Sequence, residues 1–333
     1  SLGSPKFVRL SYKNLEINSK DIIKYLNISS FDRSITNMPM TYSYMISVIN
    51  THIFSGGSIF VTNESIMQKK FWKNYKKAKI TCFNGVPYMY QILIKYGLNN
   101  INTKYLKYLT QAGGKLDEKY IKIINNYFQR FKKFFFIMYG QTEASPRISF
   151  LNPKLIKKKY GSVGKGLKNV KICMQDYKGK KIYKPLSEGE IMISGKSVFM
   201  GYSENLIDLS KKDENSGILR TGDIGYFDKD GFLFISGRSK RFTKIYGYRL
   251  NLDEIEKKIN KAGYEVACIA DENDENKVKI FYKNRINLSS KIIEFASKIT
   301  SINKIAFTCK NVLSIPKTSS GKINYNKLKE IQC

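Results

Sequence analysis

The sequence predicts an α/β fold: a large parallel-sheet domain with a β-barrel-like subdomain, followed by a small α+β domain at the C-terminus. Three observations predict it. Through the first half, short β-rich runs alternate with segments of helical periodicity, as a parallel sheet requires. From about Tyr160 the β-like runs become short and closely spaced, with turn residues between them, which is the texture of antiparallel strands. After Arg238 helices and strands alternate again within a compact stretch. The expected boundaries are 1–239 for the large domain, with 1–159 its α/β part and 160–239 its β-rich part, and 240–333 for the small one.

In chain order, MISVINTHIFSGGSIFVT reads as a helix, a Gly-Gly break and a strand. KAKITCFNGV is a strand entering a turn, and VPYMYQILIKYG a helix that Gly97 ends. YLKYLTQAGGK and FKKFFFIMYGQTE repeat the pattern of a strand running into a glycine loop. Ligands of parallel sheets bind beyond the C-terminal ends of such strands. VKICMQDYKGKKI, EGEIMISG and GYFDKDGFLFISG are the antiparallel runs. GRSKR is a polar, basic joint. Beyond it NLDEIEKKINKA is a helix with Asn251 placed to cap it and acidic residues in its first turn. YEVACIADE, KVKIFYKN and KIAFTCKN are strands, and SSKIIEFASKI is a helix.

Composition excludes several function classes. At 42% hydrophobic the 333 residues can bury a core, and no apolar run reaches the length of a membrane span. Five scattered cysteines suggest neither a zinc site nor a redox pair, and a reduced cytoplasmic setting is expected. His52, the one histidine, stands in an apolar stretch; it reads as a packed core residue, and a Ser-His-Asp or Cys-His enzyme is not expected. The net charge of +31 would attract polyanions, yet the lysines are spread along the whole chain, whereas nucleic-acid footprints cluster. A codon bias toward AT-rich triplets would give the same picture. Small anionic ligands or an acidic protein partner therefore fit better than nucleic acid. There is no signal-peptide pattern, and the chain opens on Ser1, as a fragment or a processed product would.

Several loops carry chemistry. IPKTSSGKI, 315–323, looks like a phosphate loop but lacks the first glycine and the hydroxyl after the lysine. Lys322 is thus either a surface lysine or serves a site elsewhere in the chain. In YGQTE, 139–143, Tyr139 offers a ring for stacking, Gly140 close backbone approach, Thr142 a hydroxyl and Glu143 a hard oxygen for Mg²⁺. AGGK, 112–115, gives a flat glycine backbone. In LRTGD, Asp223 could accept both hydroxyls of a ribose. Each loop alone is equally a turn between strands. GSVGKG, 161–166, lacks the third glycine of a dinucleotide fingerprint.

The order of the pieces says more. YGQTE, GSVGKGL, GEIMISGKSVFMGY, LRTGDIGYFDKDGFLFISGRSKRFTKIYGYRLNLDEIE and IPKTSSGKI together resemble the adenylate-forming superfamily of acyl-CoA synthetases, peptide-synthetase adenylation domains and luciferases. The resemblance runs through almost the entire chain. SLGSPKFVRLSYKNL matches the second half of the family's N-terminal phosphate loop, so the family's N-terminal subdomain is absent. Phe7 and Leu2 depart from the usual glycine and hydroxyl there.

The resemblance implies ATP, Mg²⁺ and either CoA or a carrier-protein pantetheine, with a small carboxylic acid as substrate and an acidic carrier protein as a possible partner. Lys6 would be the loop lysine. Tyr139 would stack on adenine beside the backbone of Gly113 and Gly114. Thr142 would touch the α-phosphate, Glu143 hold Mg²⁺, Asp223 bind the ribose hydroxyls, and Arg238 lie close to ribose or phosphate. Lys240 falls at the hinge of a mobile lid domain, Lys322 would reach the acyl phosphate, and Lys244 and Gly247 lie on the thioester-forming face. The acyl pocket would be lined by Tyr42, Tyr44, Phe83, Asn84, Val86 and Pro87, some of which could equally be plain core. Amino-acid-activating relatives usually carry an Asp in the region matching 38–50, which has no acidic residue here, so a fatty or aryl acid is favoured. The rival readings are an amino-acid adenylation domain and an inactive fragment or scaffold. Retention of Glu143, Asp223, Arg238 and Lys322 argues against decay.

Overall fold

The computed structural model describes residues 7–246, 248–271, 274, 276–318 and 321–331. Two compact units emerge, 3–221 with 225–235, and 222–224 with 236–333. Among the described residues no helix is long and apolar enough to cross a membrane.

In the first unit the dominant element is a ten-stranded sheet. Its strand order is Lys181–Ile182, Val170–Gln175, Gly189–Gly195, Ile218–Phe227, Leu233–Arg238, Ser162–Gly166, Arg147–Leu151, Phe134–Gly140, Tyr108–Gln111 and Cys82–Gly85. The last three pair in parallel. Arg147–Leu151 runs antiparallel to Phe134–Gly140 and turns the sheet over to the antiparallel region. The β-rich part expected from the sequence is therefore hydrogen-bonded into the same sheet as the parallel strands. A second, parallel pair joins Arg33–Ile35 and Ser58–Phe60.

Period-two alternation along the parallel strands divides the core between two faces. Phe83, Leu109 and Phe135 point into one cluster, with Phe71, Tyr75, Tyr90 and Phe128. Cys82, Tyr108, Phe136 and Met138 point into the other, where Tyr44, Met45 and Val48 of the helix Ser43–Phe54 cover them. The helix Tyr12–Leu26, which the sequence reading did not anticipate, starts at a reciprocal cap: Ser11 accepts from the Asn14 amide and Asn14 accepts from the Ser11 amide. The S-x-x-N spacing was its signal. Its Asn18 both donates to the Arg147 carbonyl (2.8 Å) and accepts from the Arg147 amide (3.1 Å), which fixes the start of the strand Arg147–Leu151.

In the second unit, Val266–Ala270, Val278–Tyr282 and Phe307–Asn311 form a three-stranded sheet, packed by the helices Leu252–Lys261 and Ser289–Thr300. A hairpin pairs Phe242–Ile245 with Tyr248–Asn251. Asn251 caps the first helix as expected, its side chain accepting from the amides of Asp253 and Glu254. The short helix Tyr325–Glu330 ends the unit.

Candidate functional site

Three loops meet at the C-terminal ends of the parallel strands. After Tyr108–Gln111 comes Gly113, at φ +83°, where a β-carbon would stand 2.4 Å from the Tyr42 hydroxyl. Only glycine tolerates both the left-handed backbone and that contact. Gln111 donates to the Gly114 carbonyl and holds the turn flat. After Phe134–Gly140, Thr142 starts a single 3₁₀ turn and its hydroxyl donates to the Ser43 hydroxyl at 3.0 Å. Ser43 is the first residue of the helix Ser43–Phe54, whose N-cap Tyr42 makes no side-chain cap bond, so the helix opens with amides left for another acceptor. Gly140 is packed against the returning chain: a β-carbon there would lie 2.0 Å from the Pro146 carbonyl oxygen.

Glu143 accepts a hydrogen bond from Tyr202 at 2.9 Å, and its own carbonyl accepts from the Phe199 amide. The Tyr202 hydroxyl is pushed up to about 12, first by burial and then by the Glu143 charge, so it stays a donor. Tyr202 escaped the sequence reading although it closes the motif GEIMISGKSVFMGY. Tyr139 is only 8% exposed and packs with Ala144, Ile148 and Leu167. Its ring therefore shows little open face.

The expected acyl-pocket residues separate. Tyr42 and Tyr44 stand edge to face, 6.4 Å between centroids. Tyr44 shares a short hydrogen bond with Thr110 (2.6 Å), and Thr110 donates to Asn84 (2.7 Å). Tyr44, Asn84, Thr110, Tyr25 and Arg147 line one cavity. Val86 packs on the same face. Phe83 does not join them: strand alternation turns it into the opposite core, against Trp72 and Tyr90. Pro87 begins the helix Pro87–Tyr96 and is not among the lining residues. His52 is buried, with Nδ1 2.8 Å from the Val48 carbonyl and Nε2 3.6 Å from the Cys82 sulfur, as a packed histidine should be. Burial alone would raise the Cys82 thiol, but His52, with Ser34 and Asn84, holds it below the ordinary cysteine range.

In the second unit Asp223 is buried and Arg238 reaches its Oδ1 at 3.3 Å from an exposed position. Lys322 stands on a tight reversal in which the Thr318 amide donates to the Lys322 carbonyl and Lys317 bridges Ile323. Its side chain touches solvent, yet partial desolvation, and then the Arg238 charge, bring its ammonium below the ordinary lysine range, with Asp223 opposing. Lys240 falls in the 3₁₀ turn Ser239–Arg241 and Lys244 in the strand Phe242–Ile245; their side chains lie outside the described residues, as do Lys6 and Gly247 entirely. Next to Lys240, Arg241 is buried among Asp253, Glu256 and the ring of Tyr325.

The loops thus bring together hydroxyls, a carboxylate and free amides at strand ends, a set suited to a phosphorylated ligand. The family comparison agrees: the AMP-binding enzyme family matches residues 1–203. The chain belongs to the AMP-binding enzyme family. It is 28% identical to 4-coumarate–CoA ligase-like 6 of Arabidopsis thaliana, over 99% of the chain and 60% of that protein. It is 26% identical to 2-succinylbenzoate–CoA ligase of Listeria innocua, over 98% of the chain and 68% of that protein. The chain therefore spans about 60% of the length of the first of these relatives. The fold matches o-succinylbenzoate CoA synthetase of Bacillus subtilis in complex with OSB-AMP, with a TM-score of 0.79 and 20% identity over 99% of the chain and 67% of that protein. ATP-bound MatB of Rhodopseudomonas palustris superposes with a TM-score of 0.78 at 21% identity, over 99% of the chain and 66% of that protein.

Proposed function

We propose that this protein activates a carboxylic acid with ATP, forming an acyl-adenylate and pyrophosphate, and then passes the acyl group to the thiol of CoA. The observation that carries the reading is the contact of Thr142 with Ser43 at the opening of a helix, beside Glu143 and the Gly113–Gly114 turn. Attack of a carboxylate on the α-phosphate brings anion upon anion. Donors aimed at the growing charge lower that barrier most. The first amides of the helix are such donors, and the Thr142 hydroxyl would be another once its proton turns from Ser43 to the phosphate. The backbone of Gly113 and Gly114 would take the adenine, with Tyr139 supporting it from within the core. Asp223 would accept the ribose hydroxyls while Arg238 orients it.

Glu143 is the carboxylate of the loop, and no group of three or more His, Cys, Asp or Glu stands ready to hold a metal among the described residues. Glu143 alone would hold Mg²⁺ from the protein side, the remaining oxygens coming from phosphates and water. When bound it spreads the charge of the leaving pyrophosphate. Tyr202 holds one oxygen of Glu143 and thereby orients the other. Lys322 would supply positive charge at the acyl phosphate, and Lys244 and Gly247 would belong to the face that admits the thiol, with Lys240 as the hinge between the two tasks. The CoA ligases among the relatives favour CoA over a carrier-protein pantetheine as acceptor. Tyr44, Asn84 and Thr110 offer no carboxylate to an α-amine, which favours a plain acid over an amino acid.

Pyrophosphate exchange into ATP, run over a panel of acids, tests this. Exchange that depends on one acid class, and that falls about 10²–10³-fold in Lys322→Ala, is expected. No exchange with any acid, or an unchanged rate in the variant, counts against it.

A further inference from the structure

The cavity beneath the helix Ser43–Phe54 contains a charge that no carboxylate balances among the described residues. Arg147 is 2% exposed. Among the described residues Arg9, Arg220, Arg238 and Arg241 each pair with a carboxylate and Arg147 with none. Its Nε has no hydrogen-bond partner. Its backbone, by contrast, is fully used by Asn18. The groups facing the guanidinium are neutral: the ring of Tyr44 lies 5.1 Å away, and Tyr25, whose hydroxyl donates to the Met138 sulfur, also partners the guanidinium, so the unpartnered donor is Nε. A cation over a ring recovers only part of what a guanidinium loses on leaving water. A buried cation with a spare donor facing a cavity is built for an anion.

The cavity also says which anion. It adjoins the loop cluster through Tyr42, which stands against Gly113 on one side and Tyr44 on the other. The open space is about 10 Å³, room for about one water molecule. An alkyl chain does not fit there. A single anionic oxygen, the size of that water, is the largest group the space takes without moving its lining. We propose that Arg147 is the counter-charge for a second anionic group on the acid being activated, so that the substrate class is short or aromatic dicarboxylates. One carboxylate lies at the loop cluster and the other on Arg147. This inference rests on the carboxylate-activating reading, and it narrows the fatty or aryl acid expected from sequence. Arg147, in the run PRISF, drew no reading from the sequence.

The test is equilibrium binding by titration calorimetry to the full chain, using glutarate and phthalate against their monomethyl esters, with pyrophosphate exchange run on the same four acids. The diacids are expected to bind at least about 10²-fold more tightly than their esters, because an ester leaves the buried donors unpaired. Arg147→Met should erase that ratio while ester binding persists, and Arg147→Lys should keep part of it, having charge without the planar fork. Thermal unfolding separates site from scaffold: Arg147→Met should melt no lower than the parent, and glutarate should raise the melting temperature of the parent only. Equal binding of diacid and ester, a ratio that survives Arg147→Met, or no binding of any of the four overturns the proposal. Arg147-dependent binding without exchange leaves the inference standing and removes the activation reading. Exchange with the monoesters alone does the reverse.

Discussion

Arg241 offers the most quantitative test of how the second unit holds its functional segments. Its Nε donates to Asp253 at 2.7 Å, one terminal nitrogen to the Cys268 carbonyl at 2.6 Å, and the other to Glu256 at 2.5 Å, while Tyr325 stacks 3.9 Å from the guanidinium. Glu256 is buried; it also accepts from the Cys268 amide and from the Tyr325 hydroxyl. Arg241→Met keeps much of the volume and removes the charge. Glu256 is then a buried carboxylate without a counter-ion, and breaking such a pair costs about 3–5 kcal/mol. At 1.36 kcal/mol per decade that is about a 10²- to 5 × 10³-fold rise in amide exchange for protons released by opening of the unit. Exchange mass spectrometry on peptides covering Val266–Ala270 reads it without assuming that the two units unfold together.

The pH dependence carries the sign. Burial already raises the Glu256 carboxyl, with Arg241, the Cys268 amide and Tyr325 opposing. Removing Arg241 raises it further. A carboxyl whose folded value lies above its unfolded one contributes stability that is present below the unfolded value and lost as pH rises through the folded one. The penalty of Arg241→Met should therefore shrink as pH falls toward the ordinary glutamate range, and Glu256→Gln in the same background should flatten it. A pH-independent change of less than about 1 kcal/mol, within the range of a surface pair, would refute the reasoning.

Two further outcomes are expected. Gly140→Ala places a β-carbon 2.0 Å from the Pro146 carbonyl and 3.2 Å from the Arg147 α-carbon, so backbone must move; a loss of about 1–3 kcal/mol in thermal or urea unfolding, together with lost pyrophosphate exchange, follows, and an unchanged melting temperature contradicts it. If Lys322 meets the acyl phosphate as an ammonium, its lowered value predicts that the alkaline limb of the adenylation rate falls earlier than an ordinary lysine would give, and that Arg238→Gln moves that limb upward; a limb in the ordinary lysine range that the variant leaves in place contradicts the assignment.

Most elements were legible because each follows from a local rule. Gly97 ends its helix, Asn251 caps another, and period-two runs made the strands. The geometry of the candidate site was legible where a motif fixes backbone, as at Gly113 and Thr142. It was illegible where a role depends on which face of a strand a residue occupies. Phe83 and Asn84 are neighbours in sequence, yet one packs with Trp72 and the other reaches Thr110. A pocket list drawn from a contiguous run mixes two faces whenever the run is a strand. Long-range pairing hid the rest: Tyr202 meets Glu143 across 59 positions, and Arg147 is held by Asn18 across 129.

The helix Ser43–Phe54 ties these two kinds of residue together. Ser43 meets Thr142 at the loops, while Tyr44, one position on, turns into the cavity to face Arg147 and Thr110. Successive helical residues point about 100° apart, so a single register sets both the donor at the reacting end and the ring beside the buried charge. Shifting that register by one residue would put Met45 where Tyr44 stands, leaving Thr110 and Arg147 without the ring between them. On the proposed reading, position along the helix, rather than any one side chain, couples the residues that would bind the nucleotide to those that would select the acid. The selectivity of Arg147 should accordingly be lost in Tyr44→Ala, which keeps the charge and removes the ring that places it.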